Sequence, residues 1–210
     1  MEDIDPQGAD HSIHSVLRER IVEHLFVGRA LQRLWQIGIT DVEVLRSEFD
    51  AGGYDLVMSY GNLVRHIQLK VSVVNATTRS ITASLKLQER PSGCVLWIVV
   101  EPCLDIASYR WFGDSPGKPL PGIEKMRVAK HARGNSSGHK AERPNQRVIP
   151  VSSFKRIESL EEVLTTLLGV NFPLQAKASE PSQPSQSVVL GAGDSLQSTI
   201  ESDHQVIVDV

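Results

Sequence analysis

An acid, an amide and a lysine stand in the stretch "GYDLVMSYGNLVRHIQLKVS" at residues 53–72, where apolar side chains would pack better: Asp55, Gln68 and Lys70. Two strand-like runs flank Gly61 and Asn62, and a Gly-Asn pair between such runs predicts a two-residue hairpin turn. With that turn Tyr60 faces Leu63, paired residue numbers sum to 123, and Asp55 falls opposite Gln68. Facing residues share one side of a sheet, with side chains about 5 Å apart. Lys70 is two residues beyond Gln68 and points the same way, as does His66. Ile67, Leu69 and Val71 take the other face and suit a core. A four-residue loop about the same turn would set Asp55 against His66 instead.

A carboxylate from Asp55, an amide oxygen from Gln68 and the Leu69 carbonyl are donors that a hard cation such as magnesium accepts. A lysine beside such an ion could orient an attacking water or balance charge growing on a phosphate. Tripeptides like Gln-Leu-Lys are common, so the alternative is an exposed strand face with ordinary polar residues. The elements around the motif decide its weight.

Upstream, residues 12–36 read as a long helix, capped by Ser12 or Ser15 and followed by Gly38. On a wheel at 100° per residue, Val16, Val27, Ala30, Leu31, Leu34 and Trp35 share one broad side. Glu23 falls among Val16, Ala30 and Leu34, while Arg18, Arg29, Gln32 and Arg33 take the other side. Arg20 and His24 also intrude on the apolar side. A carboxylate there needs a partner. A metal or a lysine would make it functional; a salt bridge to Arg20 or a rim position would make it structural.

Downstream, "DVEVLRS" (41–47) alternates like a strand, and strands follow at about 54–60 and 63–72. "SITASLKLQE" (80–89) fits a strand or a short helix. "CVLWIVVE" (94–101) is a continuous apolar run, as in a central strand buried on both faces. "SYRWFG" (108–113) and "KMRVAK" (125–130) read as further strands, separated by a loop at 114–122. Residues 131–145 read as a long basic loop, functional or disordered. "RVIPVSSF" (147–154) returns to strand character. "SLEEVLTTLLG" (159–169) is a short helix with a capping box from Ser159 and Glu162 and a stop at Gly169. Residues 1–10 form a disordered leader, 11–172 the domain, and 173–210 a low-complexity disordered tail. The closing "HQVIVDV" fits a stray strand or a docking peptide.

At 210 residues, with 40% hydrophobic and 22% charged residues, the chain suits one soluble domain with a real core. Its longest apolar run, 95–100, is far short of the roughly 18 residues that span a bilayer. The acidic N-terminus lacks the order of a signal peptide, so a cytoplasmic protein is expected. Cys94 and Cys103 are too few for a disulfide framework or a four-ligand zinc site, and both are expected reduced. The net charge of -3 hides an asymmetry: residues 118–156 hold ten Lys or Arg against Glu124 and Glu142, about +8. Such a block is either a phosphate-binding surface or a solvated basic loop. There is no internal repeat, P-loop, GxGxxG, HExxH or GxSxG.

The order of parts resembles the PD-(D/E)XK nuclease superfamily, the restriction-endonuclease-like fold with an αβββαβ core. Tyr54-Asp55 stands where that family has an acid opening its second strand. Gln68-Leu69-Lys70 stands for the acid-or-glutamine, any residue, lysine of the third. Glu23 stands for the helical glutamate of many members. The resemblance covers residues 12 to about 113, and by extension to 172. Tyr54 replaces the usual proline, and Gln68 stands where Glu or Asp is usual, which makes a weaker metal site. The resemblance implies an α/β fold, with a mixed central sheet flanked by helices. It implies Mg2+ or Mn2+ held by Asp55 and Gln68, with Glu23 as a further ligand or an acid just behind the ligands, beside the Leu69 carbonyl already read from the hairpin as a metal donor. Lys70 would position water or stabilise the phosphate, and the reaction would be hydrolysis of nucleic acid, DNA before RNA. Arg133, Lys140, Arg143 and Arg147 would contact phosphates, with His66, His131 and His139 as weaker candidates. A homodimer is open, since many members act as dimers. Gln68 also admits a non-catalytic module on the same fold that binds nucleic acid or protein. A third reading makes these residues structural in an unrelated α/β protein.

Overall fold

A six-stranded mixed sheet organises the chain. The computed structural model describes residues 14–49, 52–131, 136 and 138–172. Its elements are α1 (Ser15–Gln36), β1 (Val42–Arg46), β2 (Leu56–Tyr60), β3 (Leu63–Val73), β4 (Ser80–Ser84), α2 (Leu85–Gln88) and β5 (Gly93–Val100). They continue with β6 (Ile106–Phe112), β7 (Val128–Lys130), β8 (Glu142–Pro150), a 3-10 turn (Val151–Ser153), β9 (Lys155–Ile157) and α3 (Leu160–Leu168). The main sheet runs β1-β2-β3-β5-β6-β9, and β4-β8-β7 form a second, three-stranded sheet. Only β3 and β5 pair in parallel within the main sheet. This is the expected α/β class with a mixed sheet and helices against it. The expected leader at 1–10 and tail at 173–210 lie outside the described residues, as does Ser12.

All eight residues of β5 are buried, and alternation explains why its sequence shows no polar face. Cys94, Leu96, Ile98 and Val100 point to a core shared with α1 and α3. Val95 and Trp97 point the other way, to a second core under β4, α2 and β8. So helices cover one face of the sheet, and the small sheet with α2 covers the other.

Helix α1 lacks the expected serine cap: its N-cap is His14, without a side-chain hydrogen bond, and Ser15 is the first helical residue. Its other end is as read. Gly38, at φ +80°, lets its N–H donate to Trp35 O, and the Ile39 N–H donates to Leu34 O. That is a Schellman ending. The buried face is rotated from the expected one. Val22 and Phe26 are fully buried, whereas Val16, Leu31 and Trp35 are exposed. The helix carries more apolar positions than one sheet face can cover.

The hairpin register is as predicted, from Tyr60 against Leu63 to Leu56 against Ile67. Gly61 supplies the positive φ of +55° that the tight turn needs. The ambiguous 80–89 stretch is both things at once: β4 ends at Ser84, whose hydroxyl accepts the Lys86 N–H and starts α2.

The supposed loop at 131–145 is shorter than expected, because β8 begins at Glu142. Arg143 is therefore a strand residue, and Arg147 is one as expected. Pro144 disguised the strand. It sits where the β7–β8 register jumps, between Ala129 against Arg143 and Val128 against Arg147, and a bulge tolerates a residue with no N–H. At α3, Ser159 accepts the Glu162 N–H at 3.1 Å, but the Glu162 carboxylate pairs with Lys155 at 2.9 Å. Gly169, at φ +68°, ends the helix.

Candidate functional site between α1 and the open edge of β3

Strand β3 runs on to Val73, whereas its neighbour β2 begins only at Leu56. Past Ile67, one edge of β3 is therefore bare. Asp55 sits at this step. Its N–H donates to Ile67 O at 2.9 Å, which extends the ladder and brings Asp55 level with Gln68. Its carbonyl accepts the Ser47 N–H at 2.9 Å. Its carboxylate turns along the bare edge, where Oδ2 accepts the Leu69 N–H at 2.6 Å. A carboxylate that holds a short charge-assisted bond is fixed in place.

A cavity of about 170 Å³ opens there, lined by Val16, Glu19, Arg20, Glu23, Asp55, Leu69, Lys70 and Val71. Asp55, Lys70, Leu69 and Glu23 thus come to one place. Gln68 does not line this cavity. It shares the second-core face of β3 with Lys70, is 5% exposed, and its Oε1 is buried without a hydrogen-bond partner. Glu23 is also 5% exposed. Its Oε2 accepts from Arg20 Nη1 at 3.1 Å, and its Oε1 lies 3.1 Å from Arg46 Nε in an ion pair without hydrogen-bonding geometry. The structural partner foreseen for Glu23 is therefore present, and Arg46 joins it. Glu19 is an acid of this cavity that the sequence reading passed over. Its position four residues before Glu23, one helical turn away, was the available signal.

Among the described residues, no three His, Cys, Asp or Glu side chains gather as a metal cage. Magnesium does not require one, because it keeps several waters and takes one or two carboxylates plus substrate phosphates. Glu23 is already neutralised by two guanidiniums. Burying an amide oxygen with no partner costs about 1–3 kcal/mol, so the orphaned Gln68 Oε1 fits an oxygen-seeking cation. With Asp55 it supplies a neutral and a charged donor, a set suited to a loosely held hard cation.

Lys70 also lines a second, larger cavity of about 580 Å³ with Ser80, Ile81, Thr82, Arg127, Val128, Ala129, Lys130, His131, Lys140 and Val148. No acid lines it. Among the described residues, Arg127, Lys130, His131 and Lys140 take part in no ion pair, whereas Arg29, Arg33, Lys155 and Arg156 each meet a carboxylate. Of the four cations expected to contact phosphate, Lys140 lies here. Arg143 does not line the groove. Arg147 is turned to carbonyls, with Nε donating to Glu124 O at 3.1 Å and Nη1 to Pro144 O at 2.6 Å. Arg133 lies outside the described residues. Arg127, Lys130 and His131 replace them. The buried Ala129 at the centre of β7 leaves its neighbour Lys130 facing outward, and the alternation of "VAK" carried that signal for Lys130. His66 is structural: Nδ1 donates to Pro91 O at 2.8 Å, and its ring meets Tyr54 edge-on at 4.8 Å.

No helix among the described residues is long and apolar enough to cross a membrane. No family model and no curated protein matches the chain. Among solved structures it is similar to a bacterial homing endonuclease, at 16% identity and a TM-score of 0.29, over 59% of this chain and 84% of that one. A likeness that distant carries no weight for fold or activity.

Proposed function

We propose that this protein is a metal-dependent nuclease whose catalytic centre is the cavity between α1 and β3. One observation carries the reading: Lys70 lies at the junction of an acid-lined cavity and a groove of unpaired cations. The groove would take the phosphate backbone, through Arg127, Lys130, His131 and Lys140 and the hydroxyls of Ser80 and Thr82. Lys70 would then meet the phosphate beside Asp55. Its ammonium would orient the attacking water and take up charge that grows on the phosphoryl oxygens. Asp55 would hold Mg2+ or Mn2+ at the cavity, with Gln68 Oε1 joining from the adjoining face of β3, and the ion supplies charge neutralisation and a more acidic water when bound. Glu23 would act through Arg20, which it keeps at the cavity wall, with Arg46 pairing its other oxygen. DNA is the first substrate to test, on the strength of the motif's resemblance.

Incubation of the protein with duplex DNA and with RNA, in Mg2+ or Mn2+, tests this. Cleavage should vanish in chelator and in Lys70→Ala while the melting temperature holds. Cleavage retained in Lys70→Ala would overturn the assignment. The neutral Gln68 favours a second reading, a module that binds nucleic acid without cutting it. Salt-sensitive binding with no cleavage in either metal would select it.

A further inference from the structure

Helix α1 carries a second apolar stripe that the fold leaves bare. Leu17, Ile21, His24, Gly28, Leu31 and Trp35 follow one another at spacings of four and three residues, and all six are exposed. That alternation is the seam of paired helices. At 100° per residue the stripe points roughly 140° away from the helix's buried face. Leu17 is 59% and Trp35 71% exposed. Gly28 adds an independent observation. Glycine is a poor residue inside a helix, and a Cβ at this position would meet nothing within 4 Å. Among the described residues, nothing uses the room it leaves.

We infer that the stripe is a self-association surface, on which α1 of a second copy packs antiparallel about a two-fold axis level with Phe26. The register of the stripe selects this occupant. In such a pair, positions whose numbers sum to 52 meet: Trp35 meets Leu17, Leu31 meets Ile21, and His24 meets Gly28. The large indole faces a medium side chain, and the imidazole fills the gap left by glycine. The two-fold repeats each layer, as an isologous interface requires. A parallel pair would stack Trp35 on itself and leave a hole at Gly28.

The charges agree with this choice. Beside the seam, where numbers on the open flank sum to 50, Arg18 would face Gln32 and Leu25 would face itself, so no like charges oppose at these positions. Arg29 and Arg33 are drawn off to Asp105 and Glu161. The His24 ring is already set, with Nδ1 donating to Arg20 O at 2.6 Å and Nε2 accepting from Arg46 Nη1 at 2.9 Å. Six positions a side are fewer than the roughly 20–30 of a standard interface, so the dimer should be weak, with a dissociation constant on the order of micromolar. The inference stands apart from the catalytic reading.

Sedimentation of the full chain from about 1 to 200 µM, with Trp35 emission in parallel, tests it. Trp97 and Trp111 are buried, so Trp35 reports on the stripe. A concentration-dependent dimer with a blue-shifted Trp35 is expected. Leu17→Glu and Gly28→Leu should stay monomeric across the range with unchanged melting. In a Cys103→Ser background, Ile21→Cys together with Leu31→Cys should cross-link between chains on mild oxidation, and Ile21→Cys alone should not. Cross-linking by Ile21→Cys alone would mean a parallel pair and overturn the proposal. So would a wild-type chain that is monomeric throughout, including one whose Trp35 is shielded from quencher by the chain's own C-terminal residues.

Discussion

Arg65 and Lys70 are both cations of β3, on opposite faces, and their surroundings could hardly differ more. Arg65 is fully buried. Its Nε donates to Leu167 O at 2.9 Å, and its Nη2 donates to Asp114 O at 2.7 Å and Thr166 O at 3.0 Å. Its guanidinium also lies 5.1 Å over the Trp111 ring. It closes the last turn of α3, where carbonyls lack helical partners and the dipole is negative. Burial pulls its pKa below the ordinary value, while Cys94 and Asp114 pull it back. Lys70 joins no ion pair among the described residues, although acids line the cavity on one side of it and cations the groove on the other. A buried cation tied to three backbone carbonyls through Nε and Nη2, with only Nη1 left unpartnered, holds the architecture together. A cation left unpaired at the meeting of two cavities is available to a ligand.

Exchanging the two roles is the strongest way to break that contrast. Lys70→Ala should lower cleavage by roughly 10²–10³-fold, the usual loss when one preorganised charge is removed. Its melting temperature should stay within about 2 °C of wild type. Arg65→Ala should do the reverse. It leaves one buried and two part-buried carbonyls without their donor and should cost about 3 kcal/mol, seen as a fall of about 6–12 °C in melting temperature. A stable Arg65→Ala or an unfolded Lys70→Ala would invert the assignment.

Gln68 sharpens the contrast, because fold and function there should pull in opposite directions. Gln68→Leu removes an orphaned buried oxygen and should stabilise the protein by about 1 kcal/mol. The same change should abolish metal-dependent cleavage. Gln68→Glu should lower the Mg2+ concentration for half-maximal cleavage by about tenfold, since affinity follows ligand charge. A metal titration beside a thermal melt reads both. If Gln68→Leu is destabilising, the amide has a partner and its proposed role fails.

What the sequence revealed follows the same division. The hairpin register, the wholly buried β5 and the Gly38 and Gly169 helix ends were legible because turn chemistry and alternation are local. The level placement of Asp55 and Gln68 followed from the register alone. The buried face of α1 did not, because the helix is apolar on more than one side and only the sheet decides which side is covered. Arg65 was missed for a related reason: its partners come from residues 114, 166 and 167, too distant in sequence for any local pattern. The groove cations were seen as a block, but their sorting needed the β7–β8 pairing. That pairing places Arg147 among carbonyls and sets Lys130 across from Glu142, with which it makes no ion pair among the described residues.

The groove itself yields a smaller effect. Lys130→Ala and Lys140→Ala should each reduce the slope of log affinity against log salt by about one. Arg147→Ala should leave the slope unchanged, because its guanidinium already serves three carbonyls. Fluorescence anisotropy in chelator, where nothing is cut, separates these cases. A flatter slope in Arg147→Ala would return that residue to the interface.

The finest test uses the thiol beside Arg65. Burial pushes the Cys94 pKa from 9.0 up to about 12, with Arg65 opposing the rise. The folded state therefore favours the protonated thiol. Stability from this group is complete below about pH 9 and is lost as pH climbs from there toward 12. Its share of the alkaline slope should approach about 1.4 kcal/mol per pH unit within that window. Cys94→Val should remove that share, while the exposed Cys103, replaced by serine, should remove none. Thiol labelling at pH 8 should modify one sulfur per chain. Two rapidly labelled sulfurs would mean that the α1 and α3 side of β3 opens to solvent. Arg65 would then lose its claim to a purely structural role, and with it the contrast to Lys70.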